Sequence, residues 1–539
     1  MGPFTYTPPS GDWLLIVPEL IVLGVALVVL MADLASKPGR KGWLSIVCLL
    51  GVVAAGAAAA MLWTDSSLKP GFFGMIGDDQ LALYSQLVIL FAAAIGLLFS
   101  PGYVERQDIK HEGEYYALLL LATLGMMLMA SGTNLMILFV GLEVLSLALY
   151  VLCAIVGNRE RAQESGMKYF LLSSFSSAFL LYGMALTYGS TGSTRLDGIR
   201  TFIESHPFVL TSGYGPLLVA GLSLMAVGFS FKVSAVPFQA WTPDVYVGAP
   251  TSVTAFMSVG TKVAAFAGLI RVFVYALGGL QAQWEPLFWV LAILTMVGGN
   301  LLAVTQQDVK RMLAYSSVAN AGYMLVGVAT GTLASMQGLL IYLAAYAVMN
   351  LGAFGVVLAI ERNDGQGTTL EDFAGLARRR PQLAALMALF LFALAGIPAT
   401  AGFIGKWYVF YSAIVGNHLE LAIIGVLASV LGMFYYLRVI WAMYFTDAQQ
   451  PATAEVGVGG APPPSVHAAV ASSRGGVAVA EPVARVRVAP TARAQRPPVP
   501  IHPATWIGLV VAAVLTLVLG IVPSALVQLA DQAAHVLFR

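Results

Sequence analysis

Cysteine is nearly absent from this 539-residue chain: Cys48 and Cys153 both fall inside apolar runs, where each reads as a small hydrophobe and neither announces a disulfide. There is no CxxC, no HExxH and no clustered Cys/His spacing, so no iron–sulfur, haem or zinc site is signalled. A Walker A loop is also missing, and no nucleic-acid partner is expected. If redox or ATP-driven chemistry is involved, another chain must hold the cofactor. Charge is scarce as well, since Asp, Glu, Lys and Arg make up 10% of the residues and nearly cancel to a formal +1.

Apolar residues fill the space that charge leaves. They account for 58% of the chain, with a mean hydropathy of +0.82, more apolar surface than a water-soluble core can absorb. A spanning helix needs about 20 such residues. Fourteen runs qualify: 13–33, 43–63, 81–100, 115–131, 134–156, 167–189, 215–235, 252–276, 286–304, 312–330, 336–360, 382–402, 419–445 and 504–529. The expected fold is therefore an all-α polytopic membrane protein. The first run lacks the basic start and cleavage site of a signal peptide, and is read as a retained helix.

With fourteen spans, nineteen Lys and Arg residues fall in loops after odd-numbered helices and four on the other side. Discounting the five arginines of the last long loop still leaves fourteen against four, which predicts both termini on the non-cytoplasmic side. That loop, 447–503, is rich in Ala, Pro, Val and Gly and reads as a disordered cytoplasmic linker. The expected division is an N-terminal three-helix segment (1–110), a first repeat (111–280), a second repeat (281–446), the loop (447–503) and a last helix (504–539).

Against this background four charges stand out in mid-helix: Glu143, Lys232, Lys262 and Lys406. Each costs roughly 2.5 kcal/mol or more at the bilayer centre, so a chain that keeps four of them is expected to use them to move charge. Two helices are interrupted beside them. Pro237 and Pro243 break the seventh after Lys232, while Gly396, Pro398, Gly402 and Gly405 break the twelfth before Lys406. Unwound backbone at membrane depth survives only where protein or water satisfies it, so both breaks are expected to line a hydrated path. A broken helix fourth in each of two five-helix units, helices 4–8 and 9–13, fits an inverted-repeat transporter. A buried carboxylate near a buried ammonium would be a bistable element. Paired, both stay charged; separated, desolvation favours the neutral forms and a proton moves.

The segments "FKVSAVPFQAWTPDVYVGAPTSVTAFMS", "QQDVKRMLAYSSVANAGYMLVG", "ESGMKYFLLSSFSSAFLLYGMAL" and "GIPATAGFIGKWYVF" resemble the subunit N family of bacterial NADH-quinone oxidoreductase (respiratory complex I), a branch of the antiporter-like membrane subunits. The resemblance covers essentially the whole chain outside 447–503. It implies a proton-pumping membrane-arm subunit of the bacterial inner membrane, in contact with lipid and with other antiporter-like and small membrane subunits. FMN, iron–sulfur clusters, NADH and quinone would reside in partner subunits, the peripheral redox arm acting indirectly.

Carried over by position, Glu143 matches the family's fifth-helix glutamate and Lys232 the lysine of the first broken helix. Lys262 matches the eighth-helix connecting lysine, and Lys406 the lysine of the second broken helix. Three positions depart from the family pattern: Gln239 and Asn320 stand where relatives often carry histidine, and Val247 where an acidic residue is frequent. Tyr342, Tyr346 and Asn350 share one helix face and are candidate path residues or inter-helix hydrogen bonders. Lys168 is a candidate for proton uptake, or an i,i+4 partner of Glu164. Glu19 reads as a helix-end contact, Arg438 as an interface anchor or partner-subunit salt bridge, and Asp308, Lys310 and Arg311 as helix-end anchors. A free-standing cation/proton antiporter of the Mrp type and a non-pumping scaffold remain open alternatives.

Overall fold

The computed structural model describes residues 12–36, 41–63, 70–77, 79–207, 209–211, 213, 215–363, 365–447 and 500–538. The expected linker at 447–503 therefore lies outside the described residues, apart from its two ends. Among the described residues the chain is helical throughout, with thirteen helices long and apolar enough to cross a membrane. They are α1 (Val17–Ala35), α2 (Trp43–Leu62), α3 (Gln80–Arg106), α4 (Glu112–Ser131), α5 (Leu135–Ala154), α6 (Glu160–Thr191), α7a (Gly215–Val233) continued by α7b (Trp241–Gly248), and α8 (Thr251–Leu269), which runs on as a π-helical turn, Ile270–Ala276. Then follow α9 (Gln281–Val304), α10 (Val309–Thr330), α11 (Leu333–Ile360), α13 (Leu419–Phe445) and α14 (Pro503–Ile521). The remaining span is built from two short helices, α12a (Pro381–Ala395) and α12b (Ala401–Val415).

One expectation needs correction. The run 504–529 is not one helix: Pro523 follows the end of α14, and a separate helix, Ser524–His535, packs on α3 and α11. The connection between α6 and α7a, outside the fourteen expected spans, contains the amphipathic helix Leu196–Ser205, which buries Leu196, Ile199 and Ile203 on one face.

The repeat is visible in how helices approach one another. A Cβ on Gly125 of α4 would lie 2.4 Å from the Leu145 amide nitrogen of α5, and one on Gly141 2.7 Å from that of Met129. The pair α9–α10 repeats the arrangement, with Gly299 facing the Ala319 nitrogen at 2.6 Å and Gly322 facing that of Met296 at 2.5 Å. Only glycine allows backbones this close, and small residues are the usual device for packing helices in lipid. Because each unit has five spans, an odd number, the second begins on the opposite side of the membrane and is inverted relative to the first.

Burial sorts the helices into layers. Every residue of α8 is buried, and α10 and α11 nearly so, whereas α1, α2, α6, α13 and α14 expose apolar faces. The polar residues of the interior thus sit on the buried helices α8, α10 and α11 or on the inward faces of the outer ones. Helix ends are closed locally: Asp79 and Asp308 accept from the amides of Ala82 and Arg311 as N-caps, and Thr332 with Ser335 forms a capping box.

Candidate functional site

The first break follows Lys232. Helix α7a stops at Val233, Ser234 turns into the left-handed region at φ 68°, and the freed Phe231 carbonyl accepts the Trp241 indole N–H at 3.0 Å. The Val236 amide donates to Thr295 Oγ1 at 2.9 Å. Neutral groups therefore close this break, and Lys232 is left to point elsewhere. Its Nζ donates to Ser146 Oγ of α5 at 2.7 Å and to the Tyr169 hydroxyl of α6 at 3.3 Å, and lies 5.3 Å from the Tyr169 ring centroid. Tyr169 in turn stacks on Trp241, ring centroids 4.8 Å apart, so an aromatic wall fixes one side of the ammonium. Leu142, Ser173, Ser176 and Ser177 line the crevice beside it.

Glu143 lies on α5 one helical turn before Ser146. It is half-buried, and its Oε1 is shielded from solvent without a hydrogen-bond partner. No ion pair joins it to Lys232 within 4.0 Å among the described residues. It borders the exposed apolar stripe Met136, Val140, Leu147 and Val151.

Lys262 sits at the centre of the buried helix α8. Its Nζ donates to the Ser317 carbonyl of α10 at 2.6 Å and contacts the Ser317 hydroxyl; it lies 5.5 Å from the Tyr346 ring centroid. Tyr346 of α11 donates to the same Ser317 hydroxyl at 2.7 Å. Asn350, one turn further, donates to Ser258 of α8 at 2.7 Å.

The second break is closed differently. α12a ends at Gly396, φ 90°, and Lys406, from the second turn of α12b, donates to the Leu394 and Ala395 carbonyls at 3.0 and 3.1 Å. The ammonium thus sits on the negative end of the half-helix it follows, where a cation is favoured. Tyr323 offers its ring face at 4.8 Å.

Between Lys262 and Lys406 runs a hydrogen-bonded network. Tyr342 donates to Asn320 Oδ1 at 2.5 Å, and Asn320 Nδ2 donates to the Ser316 carbonyl at 2.8 Å. Ser316 and the Tyr436 hydroxyl meet at 2.5 Å. Further on, Tyr435 donates to Asn300 Oδ1 at 3.0 Å, and Asn300 Nδ2 to the Tyr323 hydroxyl, also at 3.0 Å. Ser316 and Ser317 are consecutive, so the Lys262 cluster and the Asn320 cluster touch at α10. Of the candidate path residues, the structure places Tyr342 and Tyr346 in this interior and Asn350 at its edge. It does not bring Lys168 there: that side chain lies at a helix end, 2.7 Å from Glu164 and 3.0 Å from Asp244, which Arg311 also binds at 2.9 Å.

Arg438, read as an interface anchor or partner-subunit salt bridge, donates within the chain to the Val304 carbonyl at 2.9 Å and to that of Gln306, capping α9. Lys310, read as a helix-end anchor, is buried, and donates to the Ala249 and Val247 carbonyls at 2.8 and 3.2 Å, past the end of α7b. Sequence reasoning missed Ser146, Tyr169, Ser316, Ser317, Asn300, Tyr323, Tyr435 and Tyr436. Their one signal is a hydroxyl or amide inside an otherwise apolar run, which many harmless membrane residues share.

Residues 132–432 match the family model described as NADH:quinone oxidoreductase/Mrp antiporter, TM. The chain is 45% identical over 437 residues to NADH-quinone oxidoreductase subunit N of Trichlorobacter lovleyi, covering 81% of this chain and 88% of that protein. It is 42% identical over 450 residues to subunit N 1 of Koribacter versatilis, covering 81% and 88%. Among solved structures, a chain of respiratory complex I from Thermus thermophilus superposes with a TM-score of 0.70 at 30% identity, covering 95% of this chain and 99% of that one. A chain of the Mrp complex from Dietzia shares the fold at a TM-score of 0.78 and 23% identity, covering 98% of this chain and 97% of that one.

Proposed function

The chain belongs to the NADH-quinone oxidoreductase subunit N family, and from that premise we propose that it is a proton-translocating subunit in the membrane arm of a respiratory NADH:quinone oxidoreductase. The observation that carries this reading is the solvation of three buried lysines. Each of Lys232, Lys262 and Lys406 is held by neutral oxygens and an aromatic ring, with no carboxylate within 4.0 Å among the described residues. An ammonium solvated this way has no fixed counter-charge to lock it, so a modest change in the field decides whether it keeps its proton.

In this reading Glu143 supplies the changing field. Held one turn from the Ser146 that binds Lys232, it favours the charged lysine when ionised and close, and releases it when neutral or drawn toward the exposed stripe. The proton passes to Lys262, then through the Ser317, Asn320 and Tyr323 environment to Lys406. Partner subunits carrying FMN, iron–sulfur clusters, NADH and quinone supply the energy, and their coupling reaches this chain electrostatically. The chain lies in the bacterial inner membrane with both termini on the non-cytoplasmic side. The division at 110, 280, 446 and 503 separates the three-helix segment, the two repeats, the loop and the last helix.

The test is proton flux per electron in the assembled complex. Lys232→Ala and Glu143→Ala should each lower it strongly, and an unchanged ratio in both would rule the assignment out.

A further inference from the structure

Another ionisable group is buried away from the lysine network. Glu19 stands in the first turn of α1 and is 3% exposed. Its Oε1 accepts two hydrogen bonds, from Gln86 Nε2 of α3 at 2.8 Å and from Ser131 Oγ of α4 at 3.2 Å. Its Oε2 is buried and has no partner. No lysine, arginine or histidine nitrogen lies within 4.0 Å of it among the described residues.

Charged groups at the ends of the neighbouring helices are already committed. Asp79, which caps α3, is held by Arg271 of the α8 π-helical turn through two bonds of 2.8 and 2.7 Å, and Arg271 Nε donates to the Ala130 carbonyl. Asp12, preceding α1, accepts from the Phe72 amide at 2.8 Å. Glu361, at the end of α11, makes an instructive contrast. It is equally buried and its Oε2 is likewise unpartnered, yet Arg159 lies 3.8 Å from its Oε1 as a counter-ion. Glu19 has none. The positive end of α1 offers some compensation, weakened because Pro18 beside it contributes no N–H, and it is smaller than the burial penalty of an unpaired anion.

Two donors on Oε1 suit either form; burial without a counter-ion is what favours the neutral acid, with Oε1 as the carbonyl oxygen and Oε2 carrying the hydrogen. We propose that Glu19 is a proton-carrying site in its own right, holding a proton in the resting protein and exchanging it at this end of the bundle during turnover. The second half rests on the proton-translocation reading above. On release the proton passes from Oε2 to water at the bundle end and leaves a carboxylate, which Gln86 and Ser131 are already oriented to stabilise; reprotonation restores the acid. Ser131 adjoins Ala130, the residue that Arg271 grips, so the site is mechanically tied to the helix that carries Lys262.

Infrared spectroscopy of the purified complex tests the first half without turnover. The C=O stretch of a protonated carboxylic acid should be present in the wild type, sensitive to exchange into heavy water, absent in Glu19→Gln and displaced in Glu19→Asp. If Glu19→Gln does not assemble, the displacement in Glu19→Asp carries the assignment. A spectrum in which neither substitution changes that region would overturn the proposal. The second half is read from proton flux per electron: it should fall in Glu19→Gln and stay unchanged in a Glu420→Gln control at the exposed start of α13. A lost band with unchanged flux would overturn exchange during turnover. Because the band is measured at rest, it is independent of whether Lys232→Ala alters pumping.

Discussion

Lys232 binds Ser146, not Glu143. The ammonium lies 2.7 Å from a hydroxyl one helical turn beyond the carboxylate, with no ion pair between the two charges among the described residues. A direct buried pair would be strongly held, because separating it leaves two uncompensated charges. The serine gives the lysine a hydrogen bond it keeps in either state, while the carboxylate acts through space.

Ser146→Ala should therefore impair translocation although it removes no charge. The lost hydrogen bond to a charged group is worth about 1.5–3 kcal/mol, and Tyr169 at 3.3 Å is the remaining oxygen partner. Proton flux per electron should fall, and Ser146→Thr, which keeps the hydroxyl, should recover most of it. Equal defects in both variants would point to packing instead.

Asn320 joins Tyr342 to Ser316, and all three are buried. Asn320→Leu would orphan the Tyr342 hydroxyl at a cost of about 1–3 kcal/mol, lowering both the melting temperature of the complex and its proton flux. Asn320→His retains a donor and an acceptor and should preserve both. A normal flux in Asn320→Leu would show that protons do not cross at α10.

Two glycines should respond oppositely to the same substitution. A Cβ on Gly402 would sit 1.8 Å from the Ala393 carbonyl oxygen, so Gly402→Ala should displace α12a from α12b and abolish assembly or activity. Gly56 of α2 has nothing within 4 Å of that position, and Gly56→Ala should leave activity intact and stabilise the helix by about 0.5–1 kcal/mol. Thermal melting and NADH oxidation of the two variants check this directly.

Arg271 and Asp79 form a two-point ion pair that is largely buried, with side-chain exposures of 5% and 23%. Removing one partner, as in Arg271→Met, should destabilise by about 3–5 kcal/mol, while Arg271→Met combined with Asp79→Leu should recover much of the loss. A double variant as unstable as the single one would assign the effect to the Ala130 contact of Arg271 instead.

The spans, both helix breaks and the four central charges were legible in the chain because each is a local signal. Apolar length, proline and glycine placement, and a charge in an apolar run need no partner to be recognised. Glu19 was legible as a helix-end contact, which its place in the first turn of α1 agrees with, but its burial under α3 and α4 was not. The carbonyls that Arg438 caps were not legible, since they are more than 130 residues distant in sequence.

The sequence by itself determined that this is a membrane protein, where its apolar spans run, and that four ionisable side chains fall in the middle of those runs. Those follow from the free energy of moving groups between water and hydrocarbon, which depends on residue type and run length. Only the tertiary structure decided that Lys232 rests on Ser146 while Lys406 closes the break of its own helix, and that Asn320 stands where the two half-sites meet. These depend on which helices face each other across glycine contacts, and on directional hydrogen bonds that no one-dimensional pattern encodes.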